Sequence, residues 1–409
     1  MNRSWLLRIA TFGVTVTIPL HNNINSWTIA LLCGIVLIQA IGSKLPISRL
    51  AVVSAAYFVW LALTWFWDAS GGYSFKNLEG YASFLVLPFI ISWAKLSGQV
   101  VRQVCRVFAI TVSVIAVICL VKSFIDYQQT GDSRLFFYHY LSQQMDLNAI
   151  FLSHYSLQSI IWLLYFGFVD PPDAQKKSSG IFTLLWVCFL AFIMLLLSSK
   201  MLVFLLIITL VCFTWYIVWV KVNQPVLAIV IVGVIAGATI IAVNNLYFLK
   251  WRFSVTEWKQ YQSAEDNQNG LASRILMWES ASELIAERPL LGYGVKGWHK
   301  PLMQKYGEKG FDLGVQEAYH SHNQYLQTAL MGGVVGLGFL LTILMMVFIY
   351  AIRNRNLLLM LVLLHFMIIS LVESTFEVQQ ELVFFLFFML LFYYHSPTAI
   401  RKNKKILEI

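Results

Sequence analysis

The stretch Tyr319-His320-Ser321-His322-Asn323-Gln324-Tyr325-Leu326-Gln327 is the most chemically suggestive run in this 409-residue chain. Two of the eight histidines stand there, two residues apart, at the entrance to an apolar segment that reads as a helix. A neutral imidazole beside a helix N-terminus has a lowered proton affinity, because the dipole disfavours the cation. Such a ring nitrogen can take a proton from a hydroxyl as a general base. A zinc site is the competing chemistry. Residues two apart diverge on one helix, however, and no third and fourth ligand cluster beside them, so no metal is expected. A polar boundary residue at a membrane surface is the remaining reading of either histidine. The cations upstream are equally specific in placement. Lys250, Arg252, Lys259, Arg274, Arg288, Lys296, Lys300, Lys305 and Lys309 share residues 244–322 with nine acidic residues, so this segment has no net charge. An anion site there must be built from a few focused cations and not from a basic surface.

The elements that position these residues follow from composition. Apolar residues make up 59% of the chain and charged residues 12%, against about 25% charged in soluble domains. Too few charges remain to cover a soluble globule, and disorder or a disulfide scaffold is excluded as well. The chain reads as an all-α, polytopic transmembrane bundle. A helix needs about 20 apolar residues to cross the hydrocarbon core, and the hydropathy places twelve spans near 5–20, 26–42, 50–67, 80–95, 101–125, 149–169, 180–198, 201–221, 225–243, 323–351, 356–372 and 381–395. The N-terminus is basic and then apolar, with no small-residue cleavage site after Leu20, and is taken as the first span. The five cysteines lie in or beside apolar runs without metal spacing and read as packing residues. His154 and His365 fall inside spans and read as neutral, internally bonded groups.

Charge distribution orients the bundle. With both termini cytoplasmic, sixteen basic residues fall on inner segments and only Lys76, Lys122, Arg134 and Lys200 on the short outer ones. The formal net charge of +9 is thus a topology signal, and nucleic acid is not expected as a partner. The organisation expected is residues 1–243 as nine spans, 244–322 as one large outer, periplasmic loop, 323–395 as three further spans, and 396–409 as a basic cytoplasmic tail. A loop that long is uncommon without a function. Within it, Ser273 to Arg288 spaces Ile275, Trp278, Leu284 and Ile285 as an amphipathic helix. Pro289 ends it, and Gly292, Gly294 and Gly297 supply a turn.

His322-Asn323, nine residues, and then Gly333-Val334-Val335-Gly336 resembles the H-[NSQ]-x9-G-x-x-[GTY] signature of bacterial O-antigen ligases and the related lipid-linked polysaccharide polymerases. Ser273-Arg274 with Trp278, the run Pro289-Leu290-Leu291-Gly292-Tyr293-Gly294 and the corner Ser198-Ser199-Lys200 are also similar to that superfamily, over roughly residues 190–345. The resemblance implies a GT-C-type, metal-independent membrane glycosyltransferase without a cofactor, in the bacterial inner membrane. It would move a glycan from undecaprenyl diphosphate to a sugar hydroxyl of lipid A core, or of another glycan, at the periplasmic face, with inversion. Carried over by position, His322 takes the base role and Arg274 a donor-diphosphate contact. Lys200 stands where the family has arginine, and a lysine is a point charge without the bidentate fork. His320, Asn323, Arg252 and Arg288 are supporting candidates, and Glu373 and Glu377 could contact sugar hydroxyls or be plain interfacial carboxylates.

Two other functions compete. A polymerase would use the same donor chemistry with a second lipid-linked glycan as acceptor. Only one outer loop is large, and none of Arg134, Arg252, Arg274 or Arg288 has glycine eleven residues on, which favours ligase. A coupled transporter would place acidic groups within its spans, and none stands well inside one.

Overall fold

A computed structural model describes residues 3–20, 22–43, 45–68, 78–171, 178–245 and 270–395. The described residues are helical, with no strand among them. Among the described residues, seven helices are long and apolar enough to cross a membrane and five shorter ones are apolar, and together they coincide with the twelve expected spans. In chain order the spans are α1 (Arg3–Thr17), α2 (Asn22–Ala40), α3 (Arg49–Leu63), α4 (Ser83–Trp93), α5 (Gly98–Thr130), α6 (Ala149–Leu164), α7 (Ser178–Leu197), α8 (Lys200–Thr214) and α9 (Pro225–Asn245). After the long connection come α10 (Gly270–Glu287) and α11 (His299–Glu308), then α12 (Gln324–Arg353), α13 (Leu357–Ile369) and α14 (Gln379–Tyr394). Helix α10 is the amphipathic helix expected over 273–288, and it stops where Pro289 removes a donor.

The chain divides into two compact units. One comprises residues 1–10, 22–96 and 255–396; the other comprises 11–21, 97–254 and 397–409. In the second unit α6 is almost entirely buried, and Phe108 of α5 meets Tyr155 and Trp162 of α6 edge-on, with ring centroids 5.6 and 5.5 Å apart.

The first unit carries the histidine motif. A column of rings joins Tyr57 of α3, Phe84 of α4, Phe376 in the turn before α14, Phe366 of α13 and Phe385 of α14, with Phe366 and Phe385 stacked at 3.5 Å. This aromatic packing fixes the 370–377 turn from below.

Helix α12 breaks at Gly333, where φ is 63° and ψ is −165°, a region that essentially only glycine adopts. A break inside an apolar helix strands carbonyls that lipid cannot satisfy. Here the glycine-rich turn after α10 satisfies them. Tyr293 N donates to Leu330 O at 2.8 Å and Gly294 N to Met331 O at 2.9 Å, while Val334 N turns to Pro289 O at 2.8 Å. The Trp60 indole donates to Gly332 O at 2.9 Å. The turn is anchored in turn by Asp68, whose Oδ2 accepts from Lys296 N and Gly297 N at 3.0 and 2.9 Å. The two glycine motifs of the sequence are therefore one structure: a backbone exchange between a loop and a broken helix.

The contact is close enough to test. A Cβ at Gly333 would collide with the Leu290 carbonyl, whereas Gly338, five residues on, faces open space. Gly333→Ala should destabilise the protein by on the order of 3 kcal/mol, and Gly338→Ala should be neutral or slightly stabilising. Thermal unfolding in detergent, followed by helical circular dichroism, checks both.

Candidate functional site

The site begins with Asn323. Its backbone is extended, and its Oδ1 accepts from Tyr325 N and Leu326 N at 2.9 and 3.0 Å. This side chain caps α12 and leaves His322 just before the helix. The nine residues between Asn323 and Gly333 are the helical turns between that cap and the break.

His322 has a φ of 46°, a left-handed conformation uncommon outside glycine. It is held there by its neighbours. His322 N donates to His320 Nδ1 at 3.2 Å, and the Trp278 indole donates to His322 O at 3.4 Å. Below, the buried Gln327 side chain accepts from Ser321 N and Ser321 Oγ at 3.1 and 3.0 Å. His320 must offer a lone pair at Nδ1 to make its contact. Desolvation, joined by the nearby His322, lowers its pKa to about 3, so it stays neutral and its Nδ1 remains an acceptor.

The motif is then stitched to the 370–377 turn. Asn323 N donates to Ser374 Oγ at 3.1 Å, Asn323 Nδ2 to Leu371 O at 3.0 Å, and Gln324 N to Ser370 O at 2.8 Å. In return Phe376 N donates to Gln324 Oε1 at 2.7 Å. These contacts, with the ring column beneath, bring Glu373 against His322.

Glu373 is buried, and its two oxygens have separate tasks. Oε2 lies 2.9 Å from His322 Nδ1, and Oε1 lies 2.5 Å from Arg274 Nη2. Arg274 also donates from Nε to Val372 O at 3.2 Å. Burial pushes the Glu373 carboxyl up. The hydrogen bond and charge of His322, joined by the Arg274 guanidinium, outweigh that effect and hold it at about 2. An ionised Glu373 accepts the His322 Nδ1 proton, which leaves Nε2 of a neutral imidazole with its lone pair free. That is the arrangement of a general base oriented by a carboxylate. Arg274 keeps its Nη1 group and one Nη2 proton, on a side chain 30% exposed, available to an anion.

Glu377, one turn on, sits apart from this pair. Its Oε1 accepts from Tyr81 OH at 2.8 Å, and burial raises its pKa to about 7. Among the described residues no three His, Cys, Asp or Glu side chains gather as a metal would require.

The other sequence candidates divide clearly. Arg288 is exposed, with its guanidinium over the Tyr293 ring at 4.7 Å. Lys200 opens α8 in the second unit. Arg252 lies outside the described residues. Arg274, expected as a free cation for an anion, is instead half engaged by Glu373. Glu373 itself is the residue whose importance the sequence understates. Nothing marks it except a carboxylate at the end of an apolar span, 51 residues beyond His322.

Residues 184–341 match the family model described as O-antigen ligase. Over that interval the chain is similar to the O-antigen ligases. The matched segment contains Lys200, Arg274, His322 and the Gly333 break, and it stops short of Glu373. A Haemophilus influenzae protein described as uncharacterized is 24% identical over 137 residues, which are 33% of this chain and 34% of that protein. The chain thus aligns with about a third of that relative's length. The family match supports a membrane glycosyltransferase of ligase or polymerase type.

The depressed Glu373 carboxyl has a consequence for stability. A group whose pKa is lowered on folding contributes stability above its unfolded value, about 4.3, and loses it as pH falls toward the folded value. The wild type should therefore lose stability between roughly pH 5 and pH 2. Glu373→Gln should show a flatter dependence across that window, as measured by unfolding midpoints over a pH series.

Proposed function

We propose that this protein is an O-antigen ligase-like glycosyltransferase of the bacterial inner membrane. It moves a glycan from undecaprenyl diphosphate to a sugar hydroxyl, with lipid A core as the acceptor class and both protein termini cytoplasmic. The observation that carries this reading is the bridge at Glu373, which joins a base-competent histidine to an arginine, these two lying in the family-matched segment.

The chemistry follows from the geometry. His322 Nε2 takes the proton of the acceptor hydroxyl while the acceptor oxygen bonds to the anomeric carbon of the donor sugar. The bond from that carbon to the diphosphate oxygen breaks, and its electrons leave with the diphosphate. Attack from the side opposite the leaving group inverts the anomeric centre. The proton then sits on His322, where the ionised Glu373 stabilises the imidazolium. Diphosphate is already a good leaving group and needs mainly charge stabilisation as it departs. The unspent N–H groups of Arg274 can supply it as charge-assisted, fork-shaped contacts. The protein's own groups thus account for both proton and charge, which supports a metal-independent reaction. The diphosphate role of Lys200 rests on the family resemblance alone. The positive-inside count supports a periplasmic placement of the site.

Reconstitution with a defined undecaprenyl-diphosphate glycan tests the proposal. His322→Ala should lower transfer by about 10²- to 10⁴-fold while the protein remains folded in the membrane, and full transfer would remove His322 as base. Arg274→Ala should raise the donor KM or lower its turnover, and unchanged donor kinetics would exclude the arginine. Transfer should survive EDTA, so a strict requirement for a divalent cation would refute the metal-free reading. The acceptor decides the subclass: transfer to lipid A core supports ligase, whereas transfer only to a second lipid-linked glycan makes the protein a polymerase.

A further inference from the structure

The second unit carries a cleft that the proposed transfer does not use. It opens between α5, α6 and α7, with Cys105, Trp162, Leu163 and Phe166 as its apolar wall and Arg106 on its lining. Arg106 stands eight residues into α5, about 12 Å along its axis from Gly98 at 1.5 Å per residue. An arginine on an apolar helix carries its charge to water or to an anion.

The cations around it are already engaged. Arg102, one turn earlier on the same face, donates from Nη1 to Asp170 O at 2.6 Å and from Nη2 to Asp170 Oδ2 at 2.7 Å. Its guanidinium also lies 4.9 Å from the Phe166 ring centre. Lys221 donates to Phe168 O and Val169 O at 2.9 and 2.7 Å. Those carbonyls are presented by the π-turn Tyr165–Val169 that ends α6, and wide turns of this kind frequently mark functional places. Arg102 and Lys221 thus satisfy the end of α6, and Asp170 neutralises one of them. Arg106 is exposed and forms no hydrogen bond or ion pair among the described residues. The neighbourhood therefore has a surplus of positive charge at the mouth of an apolar cleft, on the side that the positive-inside count assigns to the cytoplasm.

We propose that the mouth of this cleft binds an anionic phospholipid, with its phosphate on Arg106 and an acyl chain along exposed Ile110 and Val114, one and two turns on along the same face of α5. The guanidinium supplies fork-shaped donors for a phosphate ester, and the exposed apolar stripe beside it favours a ligand that carries a hydrocarbon chain. Basic pockets between membrane helices on the cytoplasmic side recognise anionic headgroups by this combination.

Native mass spectrometry of the full chain, stripped of lipid in detergent and titrated with phosphatidylglycerol, tests the assignment. The wild type should hold one phosphatidylglycerol at least about tenfold more tightly than Arg106→Gln. Phosphatidylcholine of the same chain length should bind both proteins equally weakly, and soluble glycerol phosphate should not displace the bound lipid. Equal phosphatidylglycerol retention by a folded Arg106→Gln protein would overturn the proposal, as would equally tight binding of phosphatidylcholine. Displacement by glycerol phosphate would also overturn it, in favour of a soluble phosphate ester. Where the glutamine variant fails to fold, Arg106→Lys keeps the charge and stem. It should bind phosphatidylglycerol severalfold less tightly than the wild type, and unchanged binding would contradict the proposal.

Discussion

A buried carboxylate that accepts from an imidazole on one oxygen and a guanidinium on the other is the constraint around which the first unit is arranged. Glu373 could not remain ionised in that place without both partners, because an unpaired buried charge costs several kcal/mol. The pairing has a further effect. It fixes the His322 proton on Nδ1, and so directs the free lone pair away from Glu373, and it holds Arg274 beside the same group. One carboxylate thereby sets the spacing between the atom that would receive a proton and the cation that would receive a leaving phosphate. The second unit solves its own charge problem in a similar way, with Asp170 against Arg102.

The backbone around Glu373 and His322 is built to make that pairing unavoidable. Asn323 caps α12 and ties the motif to the 371–374 turn, and Gln324 closes the same junction from the next position. Gln327 and His320 hold the left-handed His322. Eleven residues after His322 the helix breaks, and the turn after α10 enters the gap. Because α10 carries Arg274 and Trp278, the exchange at Gly333 fixes the end of the helix that runs beside His322. Chemistry and helix break are therefore mechanically joined, although they are eleven residues apart.

Much of this was legible in the residues. Hydropathy places the twelve helices because bilayer thickness dictates their length, and α10 follows from amphipathic spacing and the proline after it. The motif His322-Asn323 with its glycines marks a helix entrance and a break. The meaning of those glycines was not legible, since the partner of Gly333 is a carbonyl at Leu290, distant in sequence. From the sequence Glu373 reads as a sugar contact or a plain interfacial carboxylate. Its role depends on two partners 51 and 99 residues away, and a single carboxylate has no spacing that announces such a contact. Arg274 was expected as a free clamp for the same reason: the sequence shows a cation but not the carboxylate that shares it.

The central claim is that Glu373 orients His322, and the tautomer of that ring tests it most directly. Magic-angle-spinning NMR of the full chain in lipid, with ¹⁵N-labelled histidine and the His322 signal assigned by its loss in His322→Gln, reads which nitrogen carries the proton. The neutral ring should carry its proton on Nδ1 with a bare Nε2, and that preference should be lost in Glu373→Gln. A proton on Nε2 in the wild type, or a tautomer indifferent to Glu373, would contradict it.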